Sequence, residues 1–294
     1  MLDLFSNDRV PTVKLDLPFS NGIEVYIRRE DLLHPEISGN KFRKLKYNIE
    51  AANALGYKQM LTFGGAYSNH IAATAAAGRI FGIQTLGVIR GEEIETIYQA
   101  NPTLKKAEQD GMRFKFVTRT AYREKESTVF LQDLKQEFGD FYLVPEGGTN
   151  AEAIRGTEEI LQPEDSIYTY ICCAVGTGGT ISGIINRSFE HQQVLGFPAL
   201  KGDFLYGEIQ KYTTKKNWDL QLEYHFGGYA KYNTDLLCFI RDFERNTGIL
   251  LDPIYTGKLV FGIFDLIERN QFKKNSKILV IHTGGLQGWN EKIK

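Results

Sequence analysis

The chain has 294 residues, of which 42% are hydrophobic, so it can bury a large core without disulfide support. Its formal net charge is −1 and it contains no run of five like charges, which excludes the basic surface typical of nucleic-acid-binding and membrane-binding proteins. Three cysteines, two of them adjacent at Cys172 and Cys173, do not form the even set of a disulfide-stapled secreted domain.

The first ten residues include Asp3, Asp8 and Arg9 and have no apolar core, so they do not resemble a secretory signal. Since no stretch of about 18 apolar residues follows, we expect a cytoplasmic protein without membrane partners.

Further along, short apolar runs alternate with longer segments of helical periodicity. The predicted strands are residues 59–63, 85–89, 114–117, 141–144, 167–175, 220–224 and 278–282. The predicted helices are residues 71–81, 123–137, 151–161, 181–189, 234–246 and 258–269.

This alternation is typical of an α/β fold with mostly parallel sheets flanked by helices. Four predicted strand ends continue into glycine-containing turns, at residues 64–65, 147–148, 176–179 and 284–285. In open α/β sheets, ligands bind at the carboxyl ends of strands. Any one of these glycine pairs is equally well explained as an ordinary turn, but their recurrence predicts a ligand-binding face.

The sequence Ala174-Val175-Gly176-Thr177-Gly178-Gly179-Thr180 is the strongest candidate for binding phosphate. It joins a buried strand to a helix, where glycines let the main chain approach an anion and the helix N-terminus favours negative charge. It matches neither the dinucleotide-binding fingerprint nor a P-loop. Taken alone, it is as consistent with a simple turn as with a phosphate site.

A second candidate is Lys41, in the sequence Gly39-Asn40-Lys41-Phe42-Arg43-Lys44-Leu45 at the start of a helix. Most lysines in such a position are solvated. A lysine that forms a Schiff base needs a partly desolvated amine of lowered pKa beside a phosphate site. The third candidate is Ser68-Asn69-His70, at the start of another helix. The hydroxyl and amide side chains there can cap the helix, and with the exposed N–H groups they can also bind a substrate carboxylate.

Together these motifs resemble the 1-aminocyclopropane-1-carboxylate (ACC) deaminase and D-cysteine desulfhydrase family, within the β-family (fold type II) of pyridoxal-phosphate (PLP) enzymes. The resemblance covers nearly the whole chain in the order of the family. Its motifs are Arg29-Glu30-Asp31, Gly39-Asn40-Lys41-x-Arg43-Lys44-Leu45, Ser68-Asn69-His70, residues 174–180, Leu251-Asp252-Pro253-x-Tyr255-Thr256-Gly257-Lys258 and His282-Thr283-Gly284-Gly285.

The resemblance implies that the cofactor is PLP, bound through Lys41 as a Schiff base. It implies that Asn69 binds the 3′-oxygen of the pyridine ring and that Thr283 faces the ring nitrogen. A threonine does not force that nitrogen to stay protonated, which suits β-elimination. The residues implied to bind phosphate are Gly176, Thr177, Gly178, Gly179 and Thr180, with Lys44 beside them.

For the substrate, the resemblance implies catalytic roles for Lys41, Ser68, Tyr255 and Tyr229, and substrate contacts from Ser68, Asn69, His70 and Thr256. The deaminase branch has glutamate where this chain has Thr256, and glutamine where it has His70. Both differences favour the desulfhydrase branch. We therefore predict PLP-dependent β-elimination from a small amino acid, D-cysteine, giving pyruvate, sulfide and ammonia.

Two other functions remain open. Tyr67 replaces the glutamine that usually precedes Ser-Asn in the family, so ACC deamination to 2-oxobutyrate and ammonia is the alternative. A non-catalytic protein that binds a phosphate-bearing ligand is the second alternative, since fold resemblance alone does not establish chemistry.

The fold implied by the resemblance is the tryptophan synthase β-like PLP fold, with PLP in a cleft between two domains. We expect a small α/β domain at residues 42–150 and a large PLP-binding domain formed by residues 1–41 and 151–294. The resemblance also implies a homodimer. We expect no metal ion and no nucleic acid as partners.

Overall fold

The computed structural model describes residues 10–37 and 39–285, apart from the side chain of Ser20. The strands are β1 (Thr12–Lys14), β2 (Glu24–Arg28), β3 (Gln59–Gly64), β4 (Gln84–Arg90), β5 (Arg113–Val117), β6 (Tyr142–Val144), β7 (Tyr170–Val175), β8 (Gln193–Pro198), β9 (Trp218–Leu220) and β10 (Lys277–Ile281). The helices are α1 (Asn40–Ala54), α2 (Asn69–Phe81), α3 (Pro102–Gln109), α4 (Arg119–Arg123), α5 (Thr128–Phe138), α6 (Ala151–Glu158), α7 (Gly179–Arg187), α8 (Leu205–Gln210), α9 (Thr234–Thr247) and α10 (Thr256–Glu268).

The first sheet has six strands in the order β1-β2-β10-β7-β8-β9, and only the pair β1 and β2 is antiparallel. Its central strand β7 is buried on both faces. Cys172 and Ala174 point into a core covered by α9 and α10, while Ile171, Cys173 and Val175 point into a core covered by α7 and α8. The continuous apolar run in the sequence therefore reflects burial of both faces of a mostly parallel sheet.

The second sheet has four parallel strands in the order β5-β4-β3-β6. Helices α1 and α2 pack on one face, where Phe42 and Leu45 contact a core that includes Met60 and Val144. Helix α5 packs on the other face through Leu134. All four strands lie inside residues 42–150, and all six strands of the first sheet lie outside them. The domain boundaries themselves stay a prediction.

The predicted α/β class with two mostly parallel sheets is confirmed, but some elements differ from prediction. The predicted strand at 220–224 is only the end of β9, followed by a 3-10 turn at Leu222–His225. Strand β7 begins at Tyr170 because Pro163–Ile167 forms another 3-10 turn. Strand β8 lies outside the predicted set since it contains Gly196, where a Cβ atom would lie 2.6 Å from the side chains of Ile181 and Leu220.

The glycine-containing turns bring the two sheets into one functional region. They follow the carboxyl ends of β3, β6, β7 and β10, and residues of all four turns line one cavity. None of the described helices is long and apolar enough to cross a membrane.

Candidate active site

A cavity of about 820 Å³ lies where the carboxyl ends of strands from the two sheets meet. This volume is in the usual range for a small-molecule site. All predicted site residues except Thr256 line it: Lys41, Lys44, Ser68, Asn69, His70, Gly176, Thr177, Gly178, Gly179, Thr180, Tyr229, Tyr255 and Thr283. The fold thus collects side chains from segments that lie far apart in the sequence.

The backbone around Lys41 is held between two parts of this cavity. The Asn40 N–H donates to the carbonyl of Thr283 at 3.1 Å, and the Asn40 side chain donates to the hydroxyl of Thr180 at 2.6 Å. Gly39 has a φ of +61°, and a Cβ atom there would lie 1.9 Å from the Thr283 carbonyl oxygen, so only glycine allows this close approach. Lys41 therefore starts helix α1 at a position set by both Thr283 and Thr180.

The amine of Lys41 is desolvated. Burial lowers its pKa to about 8, an effect that the neighbouring Cys173 partly opposes. About a tenth of the amine is then neutral at pH 7, far more than for an exposed lysine. This is the property that a nucleophilic or proton-accepting lysine requires.

This lowered pKa predicts how covalent attachment of PLP to the apoenzyme depends on pH. Because only the neutral amine attacks an aldehyde, the attachment rate should rise about tenfold per pH unit below pH 8 and level off above it. The visible absorbance of the lysine-bound cofactor, recorded after mixing, measures the rate. A rate that keeps rising beyond pH 10 would show an ordinary solvated lysine.

The glycine turn, residues 176–180, forms the floor of the cavity at the N-terminus of α7. Gly178 has a φ of +88°. A Cβ atom at Gly176 would lie 3.4 Å from the ring of Tyr255, and one at Gly179 would lie 2.7 Å from the hydroxyl of Thr149. The first N–H groups of a helix have no hydrogen-bond partner inside the helix. Here they face a space that stays open because the turn has glycines, and larger side chains would fill it. The turn fits a phosphate group.

Lys44 lies beside the glycine turn, one helical turn after Lys41. Its amine donates to the carbonyl of Gly147 at 2.8 Å and to the hydroxyl of Thr149 at 3.3 Å. Burial and the charge of Lys41 hold its pKa well below the usual value. Thr149 also hydrogen-bonds Thr177 at 2.6 Å. Lys44 and Thr149 thus fix the turn that follows β6 against the glycine turn.

Ser68 and Asn69 form the opposite wall, at the start of α2. The Ser68 hydroxyl caps the helix by accepting from the Ile71 N–H at 3.3 Å. The Asn69 amide nitrogen donates to the Gly285 carbonyl at 3.3 Å, whereas its side-chain oxygen is buried without a partner among the described residues. A buried amide with an unmet hydrogen bond is typical of a ligand site.

These groups fit PLP. They combine a desolvated amine, a glycine turn for the phosphate, and an amide and a threonine that line the same cavity. Residues 6–284 match the family model described as pyridoxal-phosphate dependent enzyme. The chain belongs to this family. PLP is therefore the cofactor of this enzyme.

Relatives of this PLP enzyme carry two activities in their names. The chain is 30% identical to the bifunctional D-cysteine desulfhydrase/1-aminocyclopropane-1-carboxylate deaminase of Arabidopsis thaliana, over 98% of this chain and 80% of that one. It is 30% identical to a putative 1-aminocyclopropane-1-carboxylate deaminase of Pyrococcus horikoshii (91% and 86% covered) and 26% identical to a D-cysteine desulfhydrase of Serratia proteamaculans (90% and 87%).

A solved structure supports the same fold. The crystal structure of an ACC deaminase homologue matches with a TM-score of 0.79 and 26% identity, covering 98% of this chain and 95% of that one. The predicted family resemblance is thus confirmed. The two activities that the relatives name are supported equally by similarity.

His70 lines the cavity of the PLP enzyme as a neutral ring. The hydroxyl of Thr62 donates to the Val144 carbonyl at 2.8 Å, so the Nε2–H of His70 donates to Thr62 at 2.8 Å. Its Nδ1 is then an acceptor, buried without a partner among the described residues. Burial, followed by the charges of Lys41 and Lys44, lowers the pKa of His70 well below its usual value. His70 therefore brings no positive charge to a substrate.

Tyr229 and Tyr255 form an edge-to-face pair with ring centroids 6.2 Å apart. Burial raises the pKa of both hydroxyls, and more strongly that of Tyr255, so both stay protonated near neutral pH. The loop that carries Tyr229 is held by the buried Lys258, whose amine donates to the carbonyls of His225 and Gly228, each at 2.9 Å. Lys258 connects this loop to α10, which begins directly after Tyr255.

Thr256 is the one predicted site residue that lies outside the cavity lining. Its hydroxyl donates to the Asp252 carboxylate at 2.7 Å, and its N–H donates to the same oxygen at 2.9 Å. The other oxygen of Asp252 accepts from the N–H groups of Ile254 and Tyr255. The side chain of Thr256 is thus used to cap α10, and we no longer expect it to contact the substrate. It positions Tyr255 instead.

Proposed function

We propose that this PLP enzyme catalyses β-elimination from D-cysteine, giving pyruvate, sulfide and ammonia. The observation that carries the proposal is the desolvated amine of Lys41, whose backbone position is set by the hydrogen bonds of the preceding residue, Asn40, to Thr283 and Thr180. The choice of D-cysteine over ACC rests on the absence of an acid directly after Tyr255. The deaminase branch has a carboxylate there, whereas this chain has Thr256, which binds Asp252 and positions Tyr255 without contacting the substrate itself.

Some residues of the cavity would bind the cofactor and others would bind the substrate. Bound PLP supplies an electron sink for negative charge at the substrate Cα atom. The glycine turn would hold its phosphate, and Asn69 and Thr283 would contact its ring. Ser68 and the first N–H groups of α2 would bind the α-carboxylate of the substrate, because a helix N-terminus favours an anion.

Proton movements would be shared between Lys41 and the tyrosine pair. The neutral amine of Lys41 would take the proton from Cα, and the bond between Cβ and sulfur would break with its electron pair leaving on sulfur. Tyr255 and Tyr229 keep their protons near neutral pH because burial raises the pKa of both. They would therefore hydrogen-bond to the departing sulfide. The aminoacrylate released then hydrolyses to pyruvate and ammonia.

The proposal predicts which substrate is turned over. The PLP-loaded enzyme should release equal amounts of sulfide and pyruvate from D-cysteine, and little 2-oxobutyrate from ACC. Assays with D-cysteine, L-cysteine and ACC, with Lys41→Ala as the inactive control, measure this. Efficient release of 2-oxobutyrate from ACC, with no sulfide from either enantiomer of cysteine, would replace the proposal by the ACC deaminase function that several relatives carry in their names.

We also propose that the enzyme is a cytoplasmic homodimer, as the family resemblance implies. Sedimentation of the PLP-loaded protein at micromolar concentration tests the second part. A single species with the mass of one 33.4 kDa chain would contradict it.

A further inference from the structure

An arginine outside all the family motifs lies at the outer rim of the cavity. Arg90 is the last residue of β4, and its guanidinium lies over the backbone of Gly65, with Nη2 3.6 Å from the position of a Cβ atom there. Gly65 belongs to the turn that leads into Ser68. Arg90 thus lies next to the wall that would bind the substrate α-carboxylate, while remaining exposed to solvent.

Arg90 forms no direct ion pair with any acidic side chain of the described part of the chain. Other charged residues at the rim are paired: Lys125 with Glu146 at 3.4 Å, and Lys211 with Glu208 at 2.8 Å. Among the residues that the structure describes, no carboxylate lies within ion-pair distance of Arg90. Glu93, three positions further along the chain, pairs with Arg119 instead. An arginine without a partner at the mouth of a ligand cavity is a ready binding group for an anion.

The guanidinium group of Arg90 packs against the aromatic ring of Tyr122. The guanidinium carbon of Arg90 lies 5.7 Å from the centre of the Tyr122 ring, and the amine of Lys125 lies 5.3 Å from the same ring. Lys125 lies within ion-pair distance of both Glu146 and Glu126, at 3.4 and 4.0 Å, whereas Arg90 contacts the ring without a direct carboxylate partner among the described residues. The charge of Arg90, and after it the opposite charge of Glu146, also act on the pKa of Tyr229, so both lie near the tyrosine pair at the sulfur end of the proposed substrate site.

We propose that Arg90 binds a carboxylate on the side chain of the substrate. This inference rests on the proposed β-elimination and specifies its substrate class as D-cysteine derivatives whose sulfur carries a carboxylated group. The α-carboxylate and the phosphate have their own helix N-termini, at α2 and α7, which leaves Arg90 for a third anionic group. With water, such a thioether would yield the carboxylated thiol, pyruvate and ammonia. The Cβ–S bond breaks with its electron pair on sulfur, which then takes a proton.

Two substrates of nearly equal shape test the proposal with the PLP-loaded enzyme. They are S-carboxymethyl-D-cysteine, which carries the extra carboxylate, and S-carbamoylmethyl-D-cysteine, which is neutral at that position. Wild type should prefer the carboxylate about tenfold in kcat/KM, as expected for a charge-assisted pair. Arg90→Met should abolish the preference. Lys211→Met, which removes the same charge elsewhere in the cavity, should keep it.

A binding measurement separates this inference from the proposed reaction. The dissociation constants of D-glutamate and D-glutamine, read from the visible spectrum of the cofactor, report the same discrimination without any elimination. Arg90→Met should remove a preference for D-glutamate even if neither thioether is turned over, in which case only the proposed reaction fails. Equal weakening of both ligands would assign Arg90 to the α-carboxylate, and no change would leave it without a binding role. Either result would overturn the inference.

Discussion

Lys41→Ala should remove the visible absorption of the lysine-bound cofactor and lower turnover by at least about a thousandfold. The variant loses both the amine that attaches PLP and the base that would take the Cα proton, and general base catalysis alone contributes about 10²–10⁴-fold. The absorption spectrum of the purified protein and the release of pyruvate from D-cysteine measure the two losses.

Lys46→Ala is a matched control for this variant. Lys46 lies on the same helix but outside the cavity lining, where its amine pairs with Glu159 at 2.8 Å. Its replacement should leave the spectrum and turnover close to wild type. If borohydride still traps PLP on the Lys41→Ala protein, attachment is through another lysine, with Lys44 the nearest in the cavity. The assignment of Lys41 would then be withdrawn.

Prediction from the sequence was most successful where the residues of one short segment determine its conformation by themselves. A buried apolar strand followed by Gly176-Thr177-Gly178-Gly179 predicts both the end of the strand and a turn of small residues before the next helix. The structure keeps this arrangement, with α7 starting at Gly179. Ser68 likewise serves as the N-cap of α2 while lining the cavity, so the predicted cap is confirmed, whereas its contact with a substrate stays a prediction.

Roles that depend on contacts between distant segments could not be predicted from the sequence. Asn40 meets Thr180 only after the two segments are folded together, although 140 positions separate them. Thr149 follows a glycine pair that marks a turn, but nothing local indicates its contact with Thr177. Arg90 ends an ordinary strand, and only the sheet order β5-β4-β3-β6 places it beside Gly65.

Thr256 shows why a motif does not give the direction of each side chain. Its neighbour Tyr255 lines the cavity, but the chain enters α10 between them and turns the threonine inward. There it is 1% exposed and bonded to Asp252, four positions earlier. The difference from the deaminase branch is thus a difference in how the helix is capped as well as in charge.

Replacing this threonine by glutamate should therefore destabilise the fold before it changes the reaction. Thr256→Glu removes the hydroxyl that donates to Asp252 and buries a second carboxylate beside the first, while the nearby amine of Lys258 already donates to the carbonyls of His225 and Gly228. An uncompensated buried charge costs about 3–5 kcal/mol, so the free energy of unfolding should fall by roughly that amount. Urea denaturation of the apoenzyme measures it without interference from bound cofactor.

The same substitution should also lower D-cysteine turnover, because Asp252 holds the N–H groups of both Ile254 and Tyr255 and any shift of its carboxylate moves the tyrosine. Thr256→Ser keeps the hydroxyl and should retain both stability and turnover, which separates the hydrogen bond from the added charge. ACC deamination should not appear in Thr256→Glu, since a carboxylate in this position first disturbs the cap of α10. A stable Thr256→Glu enzyme that releases 2-oxobutyrate from ACC would show that the side chain at 256 reaches the substrate after all, and that this position alone separates the two activities.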